Sequence, residues 1–165
     1  MNSDGNKALR LKTVMSSIFI LLAVLFLVSL FVFRGSMNTL ISKKMKEQAG
    51  ESIQKSIEMY VDSAYNYQNN KEEYEITFLE FGAIGCSACR KMEKVMEDVK
   101  LAYPKKIKVQ FLNVLLPANQ DMMKYFGVAA IPTQVLLDAT GKEAFMHTGY
   151  FSFDDLNKEF QKIHP

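Results

Sequence analysis

Tryptophan is absent from the 165 residues, and cysteine and histidine occur only twice each. Two cysteines cannot staple a small secreted scaffold, and a domain of this size does not need them to. The two histidines, His147 and His164, lie too far apart to form the closely spaced pair of a zinc finger. A four-ligand structural zinc site therefore lacks its nitrogen donors. An excess of one charge is missing too: the formal net charge is +2, with no basic footprint of the kind nucleic acid requires. Neither a phosphate-binding glycine loop nor a catalytic triad arrangement is visible. What remains is one compact domain plus accessories, the ceiling for this length.

One segment is rich rather than poor. Residues 14–33, VMSSIFILLAVLFLVSLFVF, run without a charge. A helix of that length, at ~1.5 Å per residue, reaches ~30 Å, the thickness of a hydrocarbon core. A cleaved signal peptide has a shorter apolar core of ~7–15 residues and ends in small side chains. Here the run ends in FVFRGS, bulky where small is wanted. The expectation is an uncleaved single-pass transmembrane helix, with 1–13 as a short N-terminal tail. Lys7, Arg10 and Lys12 precede it and Arg34, Lys43, Lys44 and Lys46 follow it, so charge does not orient it.

Residues 34–73 read as a stalk and an amphipathic helix. Ile41, Met45, Ala49, Ile53, Ile57, Tyr60, Ala64 and Tyr67 recur at steps of three and four. Gly50 interrupts the pattern and predicts a break. The apolar steps drift instead of keeping a heptad, which favours packing of the second half on a domain over a dimerising coiled coil. NNKEE at 69–73 predicts a polar turn.

From 74 to 165 the pattern alternates. ITFLEFG (76–82) predicts a strand and 86–101 a helix, with Cys89, Met92, Val95, Met96 and Val99 on one face. IKVQFLNVLL (107–116) predicts a second strand, and 118–128 a short helix ending near Gly127. TQVLLDA (133–139) and EAFMHTGY (143–150) predict an antiparallel hairpin. A last helix, capped by Ser152, carries Leu156 and Phe160 four apart. The expected class is α/β, with the order βαβ, helix, ββα around a central mixed sheet.

Both cysteines fall in FLEFGAIGCSACRKME (78–93), three apart at the start of the predicted helix. That spacing suits a disulfide. Cys86 sits at the helix tip, where unpaired N–H groups and the dipole favour an anion and lower a thiol pKa. Cys89 falls on the apolar face and is expected to be buried. Cys86 is thus the candidate nucleophile and Cys89 the resolving thiol. A two-coordinate Cu(I) site would need only these two thiolates, so a metal-delivery or interaction module stands as a rival.

With the cysteine motif, GVAAIPTQVLLDATGKE and Gly149 taken together, residues 74–163 resemble the thioredoxin family, in particular membrane-tethered thioredoxin-like proteins of bacteria. The resemblance implies a thioredoxin fold, with Pro132 at the family's cis-proline and Ile131, Pro132 and Thr133 forming the substrate-binding loop. That loop would face the cysteines and block metal capture. It implies a proton-accepting role for Glu80, in the place of a buried acidic residue. The residues agree: Glu80 shares a strand face with Ile76 and Phe78, and burial would raise its pKa. Ser87 and Ala88 stand where the family tunes the potential, and Gly85 stands where it often carries tryptophan. The implied cofactor is none beyond a redox-active disulfide, Cys86–Cys89. Implied partners are protein dithiols or disulfides, apocytochrome c among them, and a transmembrane thiol electron carrier. The membrane is met through 14–33, with the domain on the extracytoplasmic side of the cytoplasmic membrane. The implied activity is reduction of protein disulfides, with an oxidant or isomerase role on the same site as the alternative.

Other residues read more plainly. His147 is expected on a strand surface beside Phe145 and Gly149. Met92, Met96, Met122 and Met123 are expected to pack rather than bind metal, and Lys105 and Lys106 to sit in a solvated turn.

Overall fold

Seven consecutive residues with no exposed face need cover on both sides, and Ile76–Gly82 is such a strand: every one of its side chains is buried. In the computed structural model this strand, β1, lies inside a four-stranded sheet of order β2-β1-β3-β4. It pairs in parallel with β2 (Ile107–Asn113) and antiparallel with β3 (Thr133–Leu137), which pairs antiparallel with β4 (Glu143–Thr148). The helices are α1 (Ser3–Gln48), α2 (Glu51–Tyr65), α3 (Tyr67–Asn70), α4 (Ser87–Ala102), α5 (Pro117–Phe126) and α6 (Phe153–Ile163). The structure describes residues 3–164, with side chains at 15, 16, 18–30 and 39–164.

Alternation along β1 sends its side chains to two separate cores. Leu79 and Phe81 join Val61 and Tyr65 of α2, Met122 and Phe126 of α5, and Val135 and Leu137 of β3. Ile76 and Phe78 join Met92, Val95, Met96 and Val99 of α4, Leu136 of β3, and Leu156 and Phe160 of α6. Each fully buried side chain of this size stabilises the fold by roughly 1.5–3 kcal/mol. From β1 onward the expected order of strands and helices is the observed one.

The chain divides into two compact units, Met1–Leu40 and Ile41–Pro165. In the first, side chains 18–30 of α1 are exposed. Among the described residues no helix is long and apolar enough to cross a membrane. The span expected at 14–33 lies partly outside the described side chains, as do Lys7, Arg10, Lys12 and Arg34. In the second unit, the predicted break at Gly50 is present: α1 ends at Gln48 and Gly50 caps α2.

The α2–α3 segment is bound to β1 and to the outer strand β2. The Tyr65 hydroxyl donates to Gln110 Oε1 at 2.7 Å, and the Tyr67 hydroxyl bonds Thr77 Oγ1. Lys108 Nζ lies 5.6–5.9 Å from the ring centroids of Tyr65, Tyr67 and Tyr74 and 2.9 Å from Glu72 Oε2. Such a cover also blunts a sheet edge.

Several boundaries differ from expectation. The second strand ends at Asn113 rather than 116, because the Asn113 side chain accepts from Leu115 N–H at 3.1 Å and turns the chain. Helix α5 begins at Pro117, a residue suited to a first turn whose N–H has no partner, and ends at Phe126 before Gly127 (φ 70°). The hairpin strands stop at Leu137 and Thr148, short of 139 and 150. Part of the polar turn expected at 69–73 is helical, since the Asn66 side chain caps α3 by accepting from Asn69 N–H.

Candidate functional site

The carboxyl end of β1 delivers the cysteine motif. After Gly82 the chain turns, with Cys86 N–H donating to Ala83 O at 3.2 Å, and α4 starts at Ser87. Gly85 takes φ 89°, a backbone region that glycine enters without steric penalty. Cys86 is the N-cap of α4: its Sγ accepts from the Cys89 N–H at 3.3 Å. A sulfur so placed faces the unpaired N–H groups and positive pole of the helix, which stabilise a thiolate. Ser87 and Ala88, the expected tuning pair, are exposed in that first turn.

Cys86 and Cys89 are joined as a disulfide, with their Cα atoms 5.2 Å apart. Cys86 is half-buried and Cys89 is 4% exposed. The predicted asymmetry of one reachable and one covered sulfur is therefore present.

Topology brings the second motif to the same place. Because β1 and β3 are antiparallel with Phe81 opposite Thr133, the residues leaving β1 and those entering β3 lie at one sheet end. The Ile131–Pro132 peptide there is cis, as expected. Pro132 O accepts from Gly149 N–H at 2.8 Å, and Gly149 takes φ 110° just past β4. Of the three residues expected to meet substrate, Ile131 is half-buried and Pro132 and Thr133 are buried. The Thr133 hydroxyl donates to Ala130 O at 2.7 Å and lies 3.0 Å from Thr148 Oγ1. It ties the loop down.

Glu80 is fully buried on the face of β1 that meets α4 and α6, as its spacing from Ile76 and Phe78 predicts. Two residues on, a Cβ built on Gly82 would lie 3.5 Å from Cys89 Cβ, so the Glu80 face runs directly to the covered cysteine. Burial pushes the Glu80 carboxyl up to about 8, while the Gln134 amide, donating to Oε2 at 3.1 Å, pulls it back.

Sequence reasoning did not find Gln134. Its signal was a polar residue inside the apolar run TQVLL, where a buried amide needs a partner. His147, expected on a strand surface, stacks on Phe151 with centroids 4.3 Å apart. Met92, Met96 and Met122 are buried in the two cores, as predicted, and Met123 packs against one of them. Among the described residues no group of three His, Cys, Asp or Glu side chains could hold a metal ion.

Comparison with known proteins agrees with this geometry. A family described as the thioredoxin-like domain matches residues 61–164. The chain belongs to the thioredoxin-like family. The match begins within α2, in keeping with the place of Val61 and Tyr65 in the core. Among solved structures, a mutant thioredoxin from Halobacterium salinarum is similar at 24% identity and TM-score 0.50, over 59% of this chain and 81% of its own. The exposed lipoprotein thioredoxin of Streptococcus pneumoniae is similar at 17% identity and TM-score 0.50, over 56% and 88%. A malarial protein is similar at 23% identity and TM-score 0.50, over 55% and 99%. No curated protein matches. Family, fold and cysteine pair support thiol–disulfide exchange as the general chemistry.

Proposed function

We propose that this protein is a membrane-tethered thiol–disulfide oxidoreductase that reduces protein disulfides outside the cytoplasmic membrane. One observation carries the chemistry: Cys86 Sγ, half-buried at the tip of α4, accepts the Cys89 N–H while bonded to a covered Cys89.

In the reduced protein, the Cys86 thiolate attacks one sulfur of a substrate disulfide and expels the other as a thiolate. Glu80 takes the proton of the Cys89 thiol, and the Cys89 thiolate attacks Cys86 Sγ. The second substrate thiolate leaves, so the substrate gains two electrons and the protein holds the disulfide. A carboxyl near 8 is matched to a thiol whose ordinary value is about 8.5, so the proton moves either way at little cost. The loop at Ile131 offers backbone beside the cysteines for an extended substrate. A membrane thiol carrier then returns two electrons to Cys86–Cys89.

Residues 14–33 support the tether, being uncharged over a full membrane thickness. Apocytochrome c is the first substrate to test.

The test of the chemistry is reduction of insulin disulfides by the full chain with a dithiol donor. Turnover is expected, with loss in Cys86→Ser and a trapped mixed disulfide in Cys89→Ser. Stoichiometric Cu(I) retention without turnover would replace this reading with a metal carrier.

A further inference from the structure

Gly82 ends β1 without a left-handed φ, so its backbone does not ask for glycine. A neighbour does. A Cβ built on Gly82 would stand 2.7 Å from Phe111 Cε2 and 3.3 Å from its Cζ, far inside contact distance. The Phe111 ring therefore lies over Gly82, and the same built atom would approach Cys89 Cβ to 3.5 Å.

Phe111 is also the residue of β2 paired in register with Glu80. Residues so paired in adjacent strands present their side chains to one face of the sheet. Because β2 is the outermost strand on that side, no further strand shields Glu80 there. Phe111 is 40% exposed while Glu80, its partner in register, is 0% exposed. The ring thus combines an exposed surface with a position in register with a carboxyl that water does not reach.

Among the described residues, the side chains that line the rest of this face are mostly apolar. On the Glu80 face, β2 supplies Ile107 and Val109 besides Phe111, and β3 supplies Gln134 and Leu136. Helix α6 contributes Leu156 and Phe160 to this core, and α4 contributes Met92, Val95, Met96 and Val99. Cys89 of α4 is ionisable once reduced. His147 of β4, in register with Gln134, points to the same side one strand further out and stacks on Phe151. Desolvation is accordingly the leading influence on Glu80, and the Gln134 amide is the lesser one.

We propose that Phe111 is a positioning residue that acts through Glu80: its ring seals the carboxyl and Cys89 from water on the β2 side, and Gly82 is glycine to give the ring room. The inference rests on the reading of Glu80 as proton acceptor, and it adds the device that keeps this acceptor dry.

The deciding measurement is the midpoint of Glu80 ionisation in the reduced full chain, followed by carboxyl-carbon NMR. Phe111→Ala is expected to lower that midpoint by about one pH unit, giving roughly tenfold more carboxylate at pH 6. Phe111→Leu should restore most of the original value. Gly82→Ala, which pushes the ring aside without removing it, should lower the midpoint too, and the double variant should go no lower than Phe111→Ala alone. The pH profile of mixed-disulfide resolution should move with the midpoint, which a merely structural role for the ring would not produce. An unmoved midpoint in folded Phe111→Ala and Gly82→Ala overturns the seal. If Glu80→Gln leaves the resolution profile unchanged, the acceptor role falls instead, and the titration still decides the seal.

Discussion

Glu80 and Gln134 face each other across the β1–β3 pair, both fully buried, with Gln134 Nε2 3.1 Å from Glu80 Oε2. The Gln134 amide thereby supplies a donor to the ionised carboxyl, while its own Oε1 is buried without a hydrogen-bond partner. A carboxyl held this dry lowers the stability of the fold across a definite pH range. Below its unfolded value of about 4.5 it is protonated in both states and costs nothing extra. Between there and its folded value of about 8 the unfolded chain releases the proton and the native state keeps it, so stability falls as pH rises. Above the folded value the loss is constant. At pH 7 it is on the order of a few kcal/mol, at about 1.4 kcal/mol per pH unit.

Glu80→Gln should therefore stabilise the disulfide-bonded protein at pH 7 and leave it nearly unchanged at pH 4. Urea melts at the two pH values measure the difference. Equal effects at both would show that burial does not hold the carboxyl protonated. The same variant should slow resolution of the mixed disulfide by about 10²–10⁴-fold, the usual contribution of a positioned acid–base group.

Gly85 makes a separate prediction. Its φ of 89° disfavours any side chain, yet a Cβ there would meet nothing within 4 Å. The penalty for Gly85→Ala is then backbone strain alone, about 1–2 kcal/mol. Gly85→Trp, which places the family's frequent residue before the first cysteine, should cost a similar amount rather than restore a lost contact. Thermal unfolding of both variants decides it, and a stabilising tryptophan would mean the turn is free to take another form.

The ease with which each part was read follows from where its determinants lie along the chain. β1 was legible to the residue because its β-branched and aromatic run is closed by Gly82, the first of the turn residues. Cys86 and Cys89 were legible because helix capping and helix faces are short-range properties. β2 was over-extended because Val114, Leu115 and Leu116 continue an apolar run. A single Asn113 side chain turns it, and Leu115 is left 67% exposed. Gln134 and Phe111 were not legible as partners of Glu80. Their proximity depends on which strands pair and in what register, and no local spacing encodes that. The conformation of Gly85 was hidden for the opposite reason, since a glycine is compatible with almost any backbone.

The role of α2 is testable through Tyr65, 1% exposed and bonded through its hydroxyl to Gln110. Tyr65→Ala removes a buried ring from the core that also holds Phe81 and Phe126, and should cost about 3–5 kcal/mol. Tyr65→Phe keeps the ring and loses only the hydrogen bond, so about 1 kcal/mol is expected. Denaturant midpoints compare the two. A cost for Tyr65→Ala no larger than that of Tyr65→Phe would mean α2 is an appendage rather than part of the folding unit.

The tether is tested by partition. An uncharged run of this length contributes hydrophobic transfer that alkaline washing does not reverse, whereas a peripheral amphipathic helix is held partly by charge and is released. The full chain should stay in the membrane fraction after carbonate extraction, and a variant beginning at residue 41, the start of the second compact unit, should leave it. Replacing Leu22 and Leu25, both exposed on α1, with Lys should release the full-length chain as well. On the insertion scale each central Lys costs about 2.5–3.5 kcal/mol while each lost Leu removes a favourable contribution. Protease added to intact cells then reports the side: digestion of 74–163 without lysis agrees with an extracytoplasmic domain. Protection until lysis would move the chemistry to the cytoplasmic face and end the case for exported substrates.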